Sequence, residues 1–284
     1  MMMRLSVITD EISQDFGHAL SVMSEFGVTG AELRGLWSTN IADLTADQIN
    51  LAKTELAAAK MEVCALSTPI LKCELEMDAA TEGGDMHLAQ ARTLADQPEL
   101  LRRCAAIGRD FGTNRLRVFG FWKTGHLDAV RMNRIVDEFR KLITIAEEEG
   151  VTLLLENEHA CLIGTGSEAA EVLRRVGSDR LKACWDPGNC YMAGQRPFPE
   201  GFDAVAPYLG HVHAKDASVA QGSREASWSI VGQGEIDFVG QFRALRTMKY
   251  AGWVSLETHY LPPGGTPEEG SRLCLTALQQ LIKD

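Results

Sequence analysis

The chain has 284 residues and a mass of 31.1 kDa, a size that one α/β barrel fills as a single domain. Hydrophobic residues make up 45% and charged residues 24%, which excludes a disordered or fibrous polymer. Lys and Arg number 28 against 39 Asp and Glu, a net charge of −11 with no basic stripe to offset it, so nucleic acid is not an expected partner.

From the N-terminus, MMMRLSVITDE sets one Arg before a short apolar run broken by Asp10 and Glu11, which is no signal-peptide core. No later stretch reaches the length of a membrane span. Eight short apolar or β-branched runs predict strands at Leu5–Thr9, Ala31–Arg34, Val63–Ser67, Leu116–Phe119, Val151–Glu156, Leu181–Asp186, His211–Ala214 and Trp253–Glu257. Amphipathic stretches between them predict helices, among them Ala46–Lys60, Pro98–Phe111, Val130–Glu149, Ser167–Val176 and Phe238–Met248. Glycines close several helices just before the next strand, in FGVTGAELR, FGTNRLRVFG, EEGVTLLLE, VGSDRLKACWD and YAGWVSLE, where a left-handed C-cap costs glycine little.

The repeated strand–helix alternation without a low-complexity linker predicts one (β/α)8 barrel over residues 1–284. A doubly wound sheet is the second choice; its dinucleotide form needs G-x-G-x-x-G after an early strand, and the GxG at Gly232 and Gly234 falls late. Two segments exceed a tight turn, Lys72–Asp96 after the third strand and Ala217–Glu235 after the seventh, and are expected to build or cover an active site. The seven cysteines are odd in number and scattered, without a CxxC pair; they read as small buried hydrophobes in a reduced, cytoplasmic compartment.

In a barrel the reactive groups sit where strands end. The fifth run ends in Glu156, the sixth in Asp186 with Asn189 beyond it, and the eighth brings Glu257 and His259. The seventh, HVHAKD, alternates His211, His213 and Lys215 on one face. If these strands are neighbours in order, Glu156, Asp186, His213 and Glu257 converge on one rim, where three carboxylates without a cation would repel and take up protons. Oxygen-rich ligation with one imidazole and no thiolate suits one divalent ion, Mn2+, Mg2+ or Co2+ before Zn2+.

Around this quartet, His211 lies deeper and reads as a core or supporting histidine. Lys215 either reaches a substrate oxygen or pairs with a carboxylate, and Asp216 points away from the lumen. Phe121 and Trp122 either wall the pocket or cap the core, and Glu147–Glu149 is a solvated face.

At these residues the chain resembles the sugar phosphate isomerase/epimerase family of xylose isomerase-like TIM barrels, which includes tagatose 3-epimerase, inosose dehydratase and endonuclease IV. The resemblance runs over nearly the whole chain through TDEIS (Thr9–Ser13), GAELR (Gly30–Arg34), STPILK (Ser67–Lys72), LLLEN (Leu153–Asn157), WDPGN (Trp185–Asn189), HVHAKD (His211–Asp216), GQGEIDF (Gly232–Phe238) and GWVSLETH (Gly252–His259). It implies that Glu156, Asp186, His213 and Glu257 bind one metal and that Glu156 and Glu257 shuttle the proton. It also places Arg34, Lys72 and His159 for substrate contact. Many ketose epimerases carry a second histidine three residues after the aspartate; Asn189 stands there instead, on the substrate side.

The expected activity is therefore metal-dependent isomerisation or epimerisation of a sugar or polyol, by proton abstraction next to a carbonyl through an enediolate. A dehydratase of inosose or dehydroshikimate type is the alternative on the same scaffold. An endonuclease IV-like phosphodiesterase would want a cationic DNA face and histidines on the early strands, which carry none. A non-enzymatic sugar-binding module is a third option, which the fold alone does not exclude, and a homo-oligomer is left open.

Overall fold

The computed structural model describes residues 3–76, 85–219 and 225–283. Eight parallel strands close into a barrel in sequential order: β1 (Arg4–Ile8), β2 (Gly30–Leu33), β3 (Glu62–Ile70), β4 (Arg115–Val118), β5 (Thr152–Glu156), β6 (Leu181–Trp185), β7 (Leu209–Ala214) and β8 (Trp253–Leu256). Closure is explicit in the register, since Val7 of β1 lies opposite both Ala31 of β2 and Leu256 of β8. Each strand falls on one of the eight predicted runs, with ends shifted by a few residues.

Helices return the chain between strands: α1 (Phe16–Glu25), α2 (Ala46–Ala59), α3 (Gln97–Asp110), α4 (Ala129–Glu149), α5 (Gly166–Val176), α6 (Pro187–Met192), α7 (Phe202–Val205), α8 (Phe238–Thr247) and α9 (Pro267–Lys283). In α4 the buried residues Ile135, Val136, Phe139, Leu142, Ile143 and Ala146 recur at three- and four-residue steps, so one stripe packs on the barrel. Each such Leu, Ile or Phe contributes roughly 1.5–3 kcal/mol of burial. Among the described residues no helix is long and apolar enough to cross a membrane. All seven cysteines are buried and unpaired.

Four of the five expected glycine positions hold: Gly27, Gly112, Gly150 and Gly177 all take positive φ. The fifth is corrected. At YAGWVSLE the left-handed residue is Lys249 (φ 58), not Gly252, whose missing Cβ instead makes room for the Tyr250 ring.

Of the two long segments, residues 77–84 and 220–224 lie outside the described residues. The described part of the second forms an antiparallel ribbon, Asp216–Val219 with Ala226–Ser229. The Asp216 carboxylate accepts backbone N–H bonds from Ala217 (2.8 Å), Gly232 (2.8 Å), Gly234 (3.0 Å) and Ile236 (3.4 Å). The late GxG is thus the wrapping around a carboxylate that anchors the ribbon base.

Candidate active site at the C-terminal rim

The rim after β5–β8 carries the acid cluster because each side chain is the last inward-facing group before its strand ends. Glu156 closes β5 behind the buried Leu153–Leu155. Asp186 follows β6 and is the N-cap of α6, accepting from the Asn189 N–H at 2.7 Å through Oδ1, which leaves Oδ2 for the lumen. His213 faces inward from β7, and Glu257 follows β8. All four are buried.

They meet at the Nδ1 atom of His213, which lies 3.1 Å from Glu156 Oε1, 2.9 Å from Glu257 Oε2 and 3.9 Å from Asp186 Oδ2. One atom from each of the four falls within 4.8 Å of every other. Ligands about 2.1 Å from an octahedral ion stand about 3 Å from one another, so the spacing matches a shared cation. Glu156 Oε2 and Asp186 Oδ2 are also buried without a hydrogen bond, although Arg117 Nη1 and Lys215 Nζ lie 3.2 and 3.0 Å away. A donor set of three carboxylates and one imidazole, with buried oxygens left over, fits a hard divalent ion.

Burial pushes the Asp186 carboxyl up to about 7, with Glu257 and Glu156 adding to it and Lys215 opposing. For Glu257 the penalty of burial is outweighed by Lys215 and His213, which hold it well below the usual carboxylate range. For His213, burial is outweighed by Glu32, Glu156 and Glu257, which raise the imidazole well above its ordinary value. Without a metal, protons collect where the carboxylates crowd.

Behind His213 stands a residue that the strand-end reading missed. Glu32 of β2 takes His213 Nε2 on one oxygen (3.1 Å), together with the Ser67 hydroxyl (2.5 Å), and His211 Nε2 on the other (2.8 Å). This fixes the His213 ring so that Nδ1 faces the quartet. His211 lies deeper, as expected. Glu32 lies inside the second run, two residues before Arg34, so alternation with Arg34 on one face was the signal for it.

The remaining sequence-chosen residues surround the quartet. Lys215 pairs with Asp186 Oδ2 and, at 3.2 Å, with Glu257 Oε2. Asn189 Nδ2 donates to Glu156 Oε1 and Glu158 Oε2, both at 3.3 Å. His159 Nδ1 is 2.9 Å from both Asn189 Oδ1 and Glu158 Oε1. Trp228, on the ribbon after β7, sets its ring against His159 and His259 and 5.1 Å from Lys215 Nζ, so the described part of that segment does cover the rim. His259 turns back at φ 50 to place Nε2 3.2 Å from Glu11 and 3.5 Å from Glu257.

Arg34 is drawn into a role different from free substrate contact. Its guanidinium bonds Asp10 (3.0 Å), Glu11 (2.6 Å) and Glu257 Oε1 (3.0 Å), all buried or nearly so. Phe121 belongs to the core, while Trp122 turns its ring to Lys72. Lys72 is 4% exposed, and its Nζ lies 4.5 Å from the Phe119 ring centroid and 5.2 Å from that of Trp122. Burying an ion costs several kcal/mol, whereas cation–π contacts return about 2 kcal/mol when desolvated. The balance is unfavourable, and burial accordingly pulls the Lys72 ammonium below its ordinary value.

Two further ligand-like clusters occur among the described residues. One joins His87, Glu257 and His259, but Arg34 already occupies Glu257 Oε1 there; the other, Glu32, Cys64 and His211, is sealed in the barrel. A hollow of about 1000 Å3 beside Tyr191, Arg196 and Phe198 is lined by none of these cluster residues.

A profile of the xylose isomerase-like TIM barrel family matches residues 20–278. An inosose dehydratase of Clostridium beijerinckii is 25% identical over 148 residues, covering 48% of this chain and 49% of that protein. The chain thus spans about half the length of the curated relatives it matches. Among solved structures, the probable 3-DHS dehydratase AsbF of Bacillus anthracis superposes with a TM-score of 0.74 at 18% identity, covering 98% of this chain and 99% of that one. D-allulose 3-epimerase from Methylomonas sp. gives 0.72 at 16% identity, covering 99% and 97%. At those identities the likeness is one of fold.

Proposed function

Because the chain belongs to the xylose isomerase-like TIM barrel family, we propose that residues 1–284 form one catalytic domain, a divalent-metal-dependent sugar isomerase or epimerase working in the cytoplasm. The observation that carries this reading is the convergence of Glu156, Asp186 and Glu257 on His213 Nδ1. These four residues would hold the ion, with Mn2+, Mg2+ or Co2+ suited to the oxygen-rich set before Zn2+. When bound, it supplies Lewis-acid polarisation of adjacent substrate oxygens.

The chain's own residues account for the proton traffic. Glu156 reaches His213 from β5 and Glu257 from β8, on either flank of β7 in the strand order, so one takes the proton from the carbon next to the carbonyl and the other returns it. Return to the other face gives an epimer; return to the neighbouring carbon gives an isomer. Lys215 and Arg34 keep Glu257 ionised, and Asn189 orients Glu156 Oε1. Trp122 and Trp228 narrow the mouth and exclude water, while His159, Asn189 and Lys215 offer groups to substrate hydroxyls.

A dehydratase is the second reading, favoured by the inosose dehydratase relatives and by His159, whose Glu158 partner leaves it able to protonate a departing hydroxyl. Incubation of Mn2+-loaded protein with ketoses and inososes in deuterated water separates the two. Solvent deuterium in recovered sugar without loss of water marks the isomerase or epimerase; a new conjugated carbonyl absorbance marks the dehydratase. Exchange that survives chelator, or that persists in Glu156→Gln and Glu257→Gln, refutes the proposal.

A further inference from the structure

We propose that Lys72 is the seat of a substrate carboxylate, so that this chain acts on a polyhydroxy keto acid rather than on a neutral sugar. The inference rests on the metal-dependent reading above and names the substrate class for that same site.

Buried cations at this end of the barrel are, with one exception among the described residues, paired with carboxylates. Arg34 is bound by three carboxylates, Arg117 faces Glu156 Oε2 at 3.2 Å, and Lys215 bridges Asp186 and Glu257. Among the described residues the Lys72 ammonium forms no hydrogen bond or ion pair, although the residue is 4% exposed. The ring faces of Phe119 and Trp122 meet its ammonium. Such faces attract a cation but accept none of its three N–H bonds.

Its placement is built rather than incidental. Leu71, just before it, takes the left-handed conformation at φ 61, which is costly for a branched side chain. The turn is pinned by the Leu71 N–H to buried Gln97 Oε1 (2.8 Å) and by the Lys72 N–H to Pro69 O (3.0 Å). Phe119 carries Lys72 on its ring and also Arg117, at 4.4 Å, and Arg117 in turn faces Glu156. The ammonium is therefore linked to Glu156 of the quartet through Phe119 and Arg117, on the β3–β4 side of the barrel. Glu158 and Glu156 are its nearest acidic influences.

A monoanion fits better than a phosphate. A phosphate carries up to two charges and calls for a second cation, and the neighbouring ones are already committed. The substrate that satisfies both ends has a hydroxyketone for the quartet and a carboxylate at the far end of its carbon chain.

The test uses two ligands that differ only at that far carbon: L-sorbose, with a primary alcohol, and 5-keto-D-gluconate, with a carboxylate. Each is titrated into Mn2+-loaded and Mn2+-free wild type, Lys72→Met and Lys72→Arg, with Mn2+ stoichiometry and circular dichroism measured alongside. The expected result is a preference of roughly 10- to 100-fold for 5-keto-D-gluconate in the wild type, the scale of one charge-assisted hydrogen bond. Lys72→Met should abolish it and Lys72→Arg retain it, all three proteins folding alike. Equal binding of the two ligands, absence of binding with Mn2+ at full occupancy, or a preference that persists in Lys72→Met overturns the inference. A chain that takes up no Mn2+ refutes the metal-site reading instead, and the preference is then read from the metal-free titrations.

Discussion

The two halves of the barrel mouth are opposite in character. After β5–β8 stand acids and a histidine that converge on one point, Glu156, Asp186, His213 and Glu257. After β1–β4 stand cations on aromatic or acidic supports: Arg34 among Asp10, Glu11 and Glu257, Lys72 over Phe119 and Trp122, and Arg117 between Phe119 and Glu156. The acidic half is organised to share a cation. In the other half Arg34 and Arg117 are paired with carboxylates and, among the described residues, Lys72 is not. Both halves are buried, so the charges interact in a low effective dielectric and neither half can be altered without loading the other.

The comparison breaks most visibly at Arg34. Arg34→Met removes a cation from three buried carboxylates and leaves Asp10 without a basic partner, while Glu11 keeps His259 and Glu257 keeps Lys215; it should cost about 3–5 kcal/mol in a urea unfolding titration, the penalty of an uncompensated buried charge. Lys72→Met strands none and should leave the midpoint unchanged or raise it. A neutral Arg34→Met would mean that the two cations are equivalent and the contrast false. Next in size is Asp186→Asn, which replaces a carboxylate that carries an unbonded buried oxygen. Calorimetric Mn2+ affinity should fall by more than about 100-fold with the fold retained, beyond the range that supporting partners reach.

Glu32→Gln sharpens the contrast between an atom in the quartet and one behind it. It keeps the size of the side chain but weakens its hold on His213 Nε2, and the expected loss of Mn2+ affinity is roughly 10-fold. The pH dependence is a separate reading of the same site. Asp186 titrates at about 7 and His213 above its ordinary value, and neither ligates while protonated. Metal uptake therefore displaces protons, and affinity should weaken as pH falls, through His213 already above neutrality and through Asp186 as well below about 7, roughly tenfold per unit for each proton displaced. A flat profile between pH 8 and 6 would show that these groups are not the ones the metal competes for.

How legible each half was in the sequence follows from how each is built. The strands and the acidic half were readable because alternation places residues on the inward face, so Glu156, His213 and Glu257 could be aligned from strand periodicity alone. Asp186 needed only the strand end and the Pro187 that begins α6. The other half depends on long-range pairing. That Arg34 is taken by Asp10 and Glu11 of the β1 end and by Glu257 cannot be read from any local window. Glu32 lies inside its strand rather than at the end, and only its alternation with Arg34 marked it as inward-facing. His87, which stands 6.0 Å from the His259 ring, comes from a segment without periodicity and gave no signal.

The central claim is that His213 gives its Nδ1 to a divalent ion held with three carboxylates. Electron spin echo envelope modulation of one equivalent of Mn2+ bound to the wild type tests it directly. The account predicts modulation from one directly coordinated 14N that disappears in His213→Gln. Bound Mn2+ without nitrogen modulation, or the same modulation in the variant, would contradict it.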